Sequence, residues 1–365
     1  MSLNVVLLPG DGIGPEVTAE AARLLGRIGE LYRHAFRLIT CPVGGAAIEQ
    51  EGSSLPARTL DACLVADAVL LGAVGHPRYE DRSPADRPEA GLLALRKALG
   101  GFANLRPAAC HPALADRTPF RTERVQGADI LIVRELLGGL YFGEPRGYRD
   151  PETAFNTLVY SKSEVERVAR VAFDLARGRR RRVSSIDKAN VLETSRLWRN
   201  VVTEVGRDYP DVALEHVYVD TCAMRMATNP ASFDVILADN LFGDILSDQA
   251  ASVAGSLGVL PSASIGGRVD LYEPVHGSAP DIAGQGLANP IGAIASVAML
   301  LRHSARLPRE AQAVEQAIDV ALASGARTRD LAGPGETSLS TREMGDAIEH
   351  ALVELFDRHH TYHAV

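Results

Sequence analysis

Two periods alternate along the chain. Val5-Val6-Leu7-Leu8, Ala68-Val69-Leu70-Leu71, Ile130-Leu131-Ile132-Val133 and Phe233–Ala238 are short, nearly continuous apolar runs, as strands of a buried parallel sheet show. Val183–Ile186 and Leu214–Val219 read as two more strands. Between them the period lengthens. Val17, Ala21, Leu24, Leu25, Ile28 and Leu31 share one face of a helix whose first turn suits Pro15. Further helices are predicted over 89–99, 191–205, 245–255, 308–324 and 341–357. Tyr141–Gly147 reads as a turn or hairpin, and 255–290 is a Gly- and Pro-rich segment with neither period. Strands alternating with helices predict an α/β protein, and 365 residues suffice for two units with cores. Polar residues recur at strand ends, at Arg134, Lys188, Asp220 and Asp239. In open α/β sheets that is where ligands bind.

Charge and cysteine usage narrow the picture. A formal net charge of -8 argues against a nucleic-acid partner, and the basic run Arg177–Arg182 reads as a solvated loop. Four scattered cysteines without a CxxC pair fit reduced thiols and neither a disulfide framework nor a zinc site. No apolar run is long enough to span a membrane, and Leu3–Leu8 is too short for a signal-peptide core, so a cytoplasmic enzyme is expected. His359, His360 and His363 read as a frayed terminus.

Four stretches carry candidate chemistry. Pro9-Gly10-Asp11-Gly12-Ile13-Gly14-Pro15 is spaced GxGxGP, so a tight strand-to-helix turn is expected in place of a dinucleotide fingerprint. Asp244 and Asp248 lie one helical turn apart, where two carboxylates repel unless a cation sits between them. Mg²⁺ or Mn²⁺ would suit these hard oxygen donors, although acids also decorate ordinary helix N-termini. Glu89, Leu92, Leu93 and Arg96 fall on one helical face, fit for a small molecule with an apolar branch and a carboxylate. Arg106 and Arg134 add two more cations able to clamp carboxylates. Glu273–Gly284 is a small-residue loop in which Asp281 can accept hydrogen bonds from ribose hydroxyls. With no Lys or Arg between Glu273 and Pro290, Asp281 would repel a phosphate carried on that ribose.

Taken together, LLPGDGIGPEV, GLLALRK, FANLRP, VRELLGGLYFGEPRG, DKANVLETSRLWR, DNLFGDILSD and EPVHGSAPDIAGQGLANP resemble the β-decarboxylating dehydrogenases. That family holds the 3-isopropylmalate, isocitrate, homoisocitrate and tartrate dehydrogenases, and the resemblance is to the isopropylmalate branch. It implies a two-domain α/β fold with a mixed central sheet, distinct from a Rossmann fold. The first, NAD-binding domain would join 1–101 with 255–365. The second, 102–254, would carry the contact of a homodimer, and the active site would lie in the cleft between the domains and be shared between subunits. Arg96, Arg106 and Arg134 would hold the malate carboxylates, with Glu89, Leu92, Leu93 and Val191 also at the substrate. Asp244 and Asp248, with Asp220 of the partner subunit, would bind Mg²⁺ or Mn²⁺. Lys188 of the partner subunit would take the hydroxyl proton, and Tyr141 would donate one after decarboxylation. Glu273, His276, Gly277, Ser278, Ala279, Asp281, Asn289 and Asp330 would surround NAD⁺.

The implied reaction is oxidative decarboxylation of 3-isopropylmalate to 4-methyl-2-oxopentanoate in leucine biosynthesis, with homoisocitrate, tartrate or another 3-alkylmalate as the alternative substrate. A regulatory subunit is disfavoured because Lys188, Tyr141 and the metal aspartates are all present, and a metal-dependent phosphatase because no nucleophile motif accompanies the aspartates. Two departures from the family pattern stand out. His76 replaces the usual glycine, and 332–341 is a looser turn than usual, which bears on Asp330.

Overall fold

The structure, a computed structural model, describes residues 1–362, with side chains as far as Arg358, in two compact units. The tail histidines His359, His360 and His363 lie outside the side chains so described. One unit comprises Met1–Gly101, His111–Arg117 and the chain from Ser256 on; the other comprises Phe102–Cys110 and Thr118–Gly255.

The first unit begins with β1 (Ser2–Gly10), α1 (Gly14–Tyr32), β2 (Ala35–Thr40), α2 (Gly44–Glu51), α3 (Ala57–Val65), β3 (Ala68–Ala73) and α4 (Pro88–Leu99). β1 runs parallel between β2 and β3. Val6, Leu8, Val69 and Leu71 of the strands meet Leu95 and Leu99 of α4 in one buried cluster. The turn after β1 needs its glycines. Gly10 and Gly12 have φ of +72° and +58°, and a Cβ on Gly12 would lie 1.9 Å from the Ser278 carbonyl oxygen. Asp11 within this turn is buried, and its carboxylate accepts the backbone N–H groups of Gly45, Ala46 and Gly75 at 2.9, 2.8 and 2.9 Å. The stretch is the tight strand-to-helix turn that its spacing predicts, between β1 and α1, and Asp11 clamps it to neighbouring backbone.

The second unit contains β4 (Ala103–Ala109), α5 (Thr122–Val125), β5 (Asp129–Glu135), a hairpin of β6 (Gly147–Asp150) and β7 (Thr153–Phe155), α6 (Lys162–Arg177), β8 (Arg182–Asp187), α7 (Glu193–Gly206), β9 (Ala213–Tyr218), α8 (Val219–Thr228), β10 (Val235–Ala238) and α9 (Asn240–Ala254). Its sheet runs β4-β5-β10-β8-β9, antiparallel at β4–β5 and parallel elsewhere. Tyr141–Gly147, read as a turn or hairpin, is a turn: it runs from the end of a 3₁₀ turn at Gly139–Tyr141 to the start of the β6–β7 hairpin. α6 carries a capping box, with Ser161 and Glu164 each bonding the other's backbone N–H. Asp220 does not end a strand: β9 stops at Tyr218, and Asp220 sits in the first turn of α8. Nor is the basic run merely solvated. Arg179 donates to the buried Asp234 carboxylate at 2.9 Å, and Arg180 donates to the Asp129 carbonyl at 2.7 Å.

The chain then returns to the first unit through β11 (Pro261–Ile265), β12 (Asp270–Pro274), α10 (Ile291–His303), α11 (Pro308–Ala323) and α12 (Thr341–Tyr362). β12 pairs parallel with β3 and antiparallel with β11, giving the order β2-β1-β3-β12-β11. Two strands therefore lie in 255–290, where the sequence shows no strand period. α10 is also unforeseen: it is apolar on nearly every side and buried, so no amphipathic stripe marks it. His111–Arg117 joins this unit although the sequence reading leaves it in 102–254. His111 pairs with Asp319 at 3.0 Å, Arg327 donates to the Ala113 carbonyl at 2.7 Å, and Arg117 pairs with Glu336.

Candidate active site

In the second unit the register of β5 and β10 places Arg134 beside Ala238, where the chain turns into α9. Arg134 is almost fully buried. Its Nη1 donates to Asp244 at 2.6 Å, and its Nη2 and Nε donate to the Asn240 amide oxygen at 2.7 and 3.2 Å. Gly243 makes room for the arginine stem, since a Cβ there would lie 2.7 Å from Arg134 Cγ. Tyr141, at the end of the 3₁₀ turn, donates its hydroxyl to the other Asp244 oxygen at 2.6 Å. Burial first, then this contact, raises the Tyr141 pKa and keeps it as the phenol, the form able to give up a proton.

Arg106 answers the repulsion between the two aspartates. Its Nη1 lies 3.7 Å from Asp244 and 3.4 Å from Asp248, and donates to Ser247 Oγ at 2.7 Å. A guanidinium thus stands beside both carboxylates, and these oxygens have the hard-donor chemistry a divalent cation takes. Among the described residues no three metal-ligating side chains cluster. Asp220, which the resemblance assigns to a neighbouring subunit's metal, is paired in its own chain with Lys188 at 2.5 Å. That hydrogen bond holds the Asp220 carboxyl below its ordinary range. Val191, in the turn after Lys188, is exposed.

The first unit carries the remaining residues. Along α4, Leu92 leans on the core cluster, Leu93 is 48% exposed, and Arg96 donates to the buried Glu273 at 2.6 Å. Arg96 Nε is buried without a hydrogen-bond partner. Glu89 faces Gly75, whose Cβ would lie 2.9 Å from a Glu89 carboxylate oxygen and 3.7 Å from Ser278 Oγ. His76 next to it caps the following turn, its Nδ1 accepting the Arg78 N–H at 3.1 Å, and its ring meets Tyr79 edge-on.

A cavity of about 470 Å³ lies wholly within this unit. His276, Asp281, Asn289 and Asp330 line it, as do Ile13, Gly258 and Arg329, which sequence reasoning missed. Glu273, Gly277, Ser278 and Ala279 are not among its lining residues; Ser278 is buried against the Gly12 turn, and Ala279 has φ of +36°. Asn289 donates to Asp330 at 3.0 Å. The looser turn that follows is tied down by Leu339 N–H to the Arg327 carbonyl at 2.7 Å and Thr341 Oγ to the Ala288 carbonyl at 2.6 Å. His276 donates from Nδ1 to the Gly277 carbonyl at 2.9 Å, so its neutral ring presents Nε2 as an acceptor, and Nε2 is buried with no partner. Burial lowers the His276 pKa, which favours that neutral form. The volume suits a bound small molecule, and an orphaned acceptor beside carboxylates fits a ligand rich in hydroxyl and amine donors.

The isocitrate/isopropylmalate dehydrogenase family model matches residues 4–348. The chain belongs to this family. Among family members, the 3-isopropylmalate dehydrogenase of Anaeromyxobacter dehalogenans is 54% identical over 353 residues, 95% of this chain and 99% of that protein. That of Pseudomonas fluorescens is 52% identical, over 97% of this chain and all of that one. The crystal structure of isocitrate dehydrogenase from Methylococcus capsulatus superposes with a TM-score of 0.85 at 35% identity, covering 96% of this chain and 99% of that one. The family's α/β architecture is the one described above, and the chain is a β-decarboxylating dehydrogenase, an oxidoreductase. No helix among the described residues is long and apolar enough to cross a membrane.

Proposed function

We propose that the chain, as a cytoplasmic homodimer, oxidises and decarboxylates (2R,3S)-3-isopropylmalate with NAD⁺, releasing 4-methyl-2-oxopentanoate and CO₂ in leucine biosynthesis. The observation that carries the choice of substrate is the α4 face: Leu92 and Leu93 stand between Glu89 and Arg96 where an isocitrate enzyme needs polar partners for a further carboxylate. NAD⁺ occupies the cavity lined by His276, Asp281, Asn289 and Asp330. Mg²⁺ or Mn²⁺ is held by Asp244 and Asp248 with Asp220 of the partner subunit.

Bound NAD⁺ would supply the acceptor for the hydride on C2, and the divalent cation would supply Lewis acidity toward the C2 oxygen. The chain's own groups do the rest. Arg96, Arg106 and Arg134 hold the two malate carboxylates by charge-assisted hydrogen bonds. Lys188 of the partner subunit takes the C2 hydroxyl proton as the hydride leaves. The resulting β-keto acid loses CO₂, the C–C bond electrons forming an enolate, and Tyr141 delivers a proton to its C3.

The test is NADH formation with 3-isopropylmalate, 3-ethylmalate, malate, isocitrate, homoisocitrate and tartrate, with Mg²⁺ or Mn²⁺ and after chelation. We expect isopropylmalate to exceed isocitrate at least ~100-fold in kcat/KM, because an unpaired carboxylate against leucines costs a few kcal/mol. Ethylmalate should fall short by a smaller factor. Chelation should abolish turnover. Equal turnover of isocitrate, or activity indifferent to chelation, would overturn the proposal.

A further inference from the structure

Behind Arg134 lies a buried polar cluster with no group that touches substrate in the mechanism above. Asn240, the first residue of α9, uses every polar group it has. Its amide nitrogen donates to the Leu136 and Gly138 carbonyls at 3.0 Å each, and its amide oxygen accepts from Arg134 at 2.7 and 3.2 Å. Its backbone carbonyl shares the Arg134 Nε–H with that amide oxygen, at 2.9 Å. The orientation of that amide is forced. Turned over, its NH₂ would face the guanidinium and its oxygen two carbonyls. The Asn240 backbone N–H donates to Tyr160 Oη at 2.9 Å, and Tyr160 donates in turn to the fully buried Glu135 at 3.2 Å.

Glu135 then reaches the loop that carries Tyr141. Its two carboxylate oxygens accept the Leu137 and Gly138 N–H groups at 3.0 and 2.8 Å. The Tyr160 ring lies against the same loop so closely that a Cβ would come within 2.8 Å of it at Gly138 and 2.4 Å of its hydroxyl at Gly139. Gly139 also needs its φ of +75°. The Tyr160 ring also stands edge-on to the buried Trp198, 5.7 Å between centroids. Tyr160 cannot shift without moving both the loop and the start of α9.

Asn240 and Asp244 are i,i+4 on α9, and Arg134 bridges them. Asp244 is also the residue assigned to the metal, so its hold on Arg134 is shared with another task. Asn240 has no such second task.

We infer that Tyr160 and Asn240 are positioning residues of this enzyme, a buried Glu135–Tyr160–Asn240 scaffold that aims the Arg134 guanidinium at a substrate carboxylate and fixes the loop bearing Tyr141. This rests on the assignment of Arg134 and Tyr141 under Proposed function. Each member is 7% exposed or less. An unpaired group left among them therefore has no water to replace the lost partner, and the remaining members must move.

A double-mutant cycle tests it, with KM, kcat and Tm measured for wild type, Tyr160→Phe, Arg134→Lys and the double variant. At a temperature well below every Tm, Tyr160→Phe should raise KM for the malate substrate about ten-fold or more and lower kcat, leaving KM for the nicotinamide cofactor unchanged. In the Arg134→Lys background the same change should move the substrate KM by less than about two-fold, since its route of action has gone. If Tyr160→Phe lowers Tm and leaves KM and kcat alone, or if its KM effect persists undiminished beside Arg134→Lys, the scaffold inference is overturned. If Arg134→Lys by itself leaves KM unchanged, the site assignment falls and takes the inference with it, a result distinct from the other two. Should Tyr160→Phe fail to fold, Asn240→Ser takes its place in the cycle with the same expected and overturning outcomes.

Discussion

Leu92 and Leu93 are neighbours in sequence and differ in environment. Leu92 packs on the core cluster and Leu93 is exposed, so only Leu93 probes the substrate cleanly. Leu92→Ala should cost about 1–3 kcal/mol of stability as well as activity, which a lowered Tm would show. Leu93→Ala should leave Tm within a degree or two and lower kcat/KM for isopropylmalate several-fold more than for malate. Equal losses on both substrates would separate Leu93 from the alkyl branch. Asp239 shows a second single-residue effect. It caps α9, accepting the Phe242 N–H at 2.7 Å, and burial above all lifts its pKa from 3.8 to about 6. A carboxyl whose folded pKa is raised binds more protons folded than unfolded between those values, so stability falls as pH rises through them. Asn caps a helix equally well without ionising. Asp239→Asn should therefore gain on wild type between pH ~4.5 and ~7.5, by about 2 kcal/mol in denaturant melts. A constant difference across that range would refute the ionisation cost.

At the scale of elements, continuous apolar strands were legible because burial on both faces leaves a local trace. β11 and β12 left none. Ser262 and Ser264 of β11 are buried polar residues, and their place is set by pairing with β12. The cofactor cavity shows the same limit. Asp281 was visible within its own loop, but Arg329 joins the lining of the same cavity from far along the chain. A cation there moderates the charge argument against NADP⁺. The expected preference is still NAD⁺, with Asp281→Asn narrowing the ratio of kcat/KM values and Arg329→Ala widening it, each by roughly ten-fold. If neither change moves the ratio, the 2′ position of the ribose lies elsewhere.

At the scale of the whole molecule, Lys188 and Asp220 pair within the chain, while the proposed roles send both to a partner's site. Lys188→Ala and Asp244→Ala homodimers should each be inactive, and mixing them should rebuild one intact site per heterodimer. With random exchange that restores about a quarter of wild-type activity, half of the dimers having one working site of two. No recovery after exchange has been verified by mass would place Lys188 in its own subunit's site. Sequence alone determined which residues share a helical face, where chain direction reverses at glycine, and which segments must be buried, because each depends on spacing within a few residues. It could not determine that Arg106 stands beside Asp244 and Asp248, that the Asn240 amide meets Arg134, or that Arg329 and Asp281 line one cavity. Those meetings join residues tens to more than a hundred positions apart. Strand register and helix packing alone bring them together, and no local period records either.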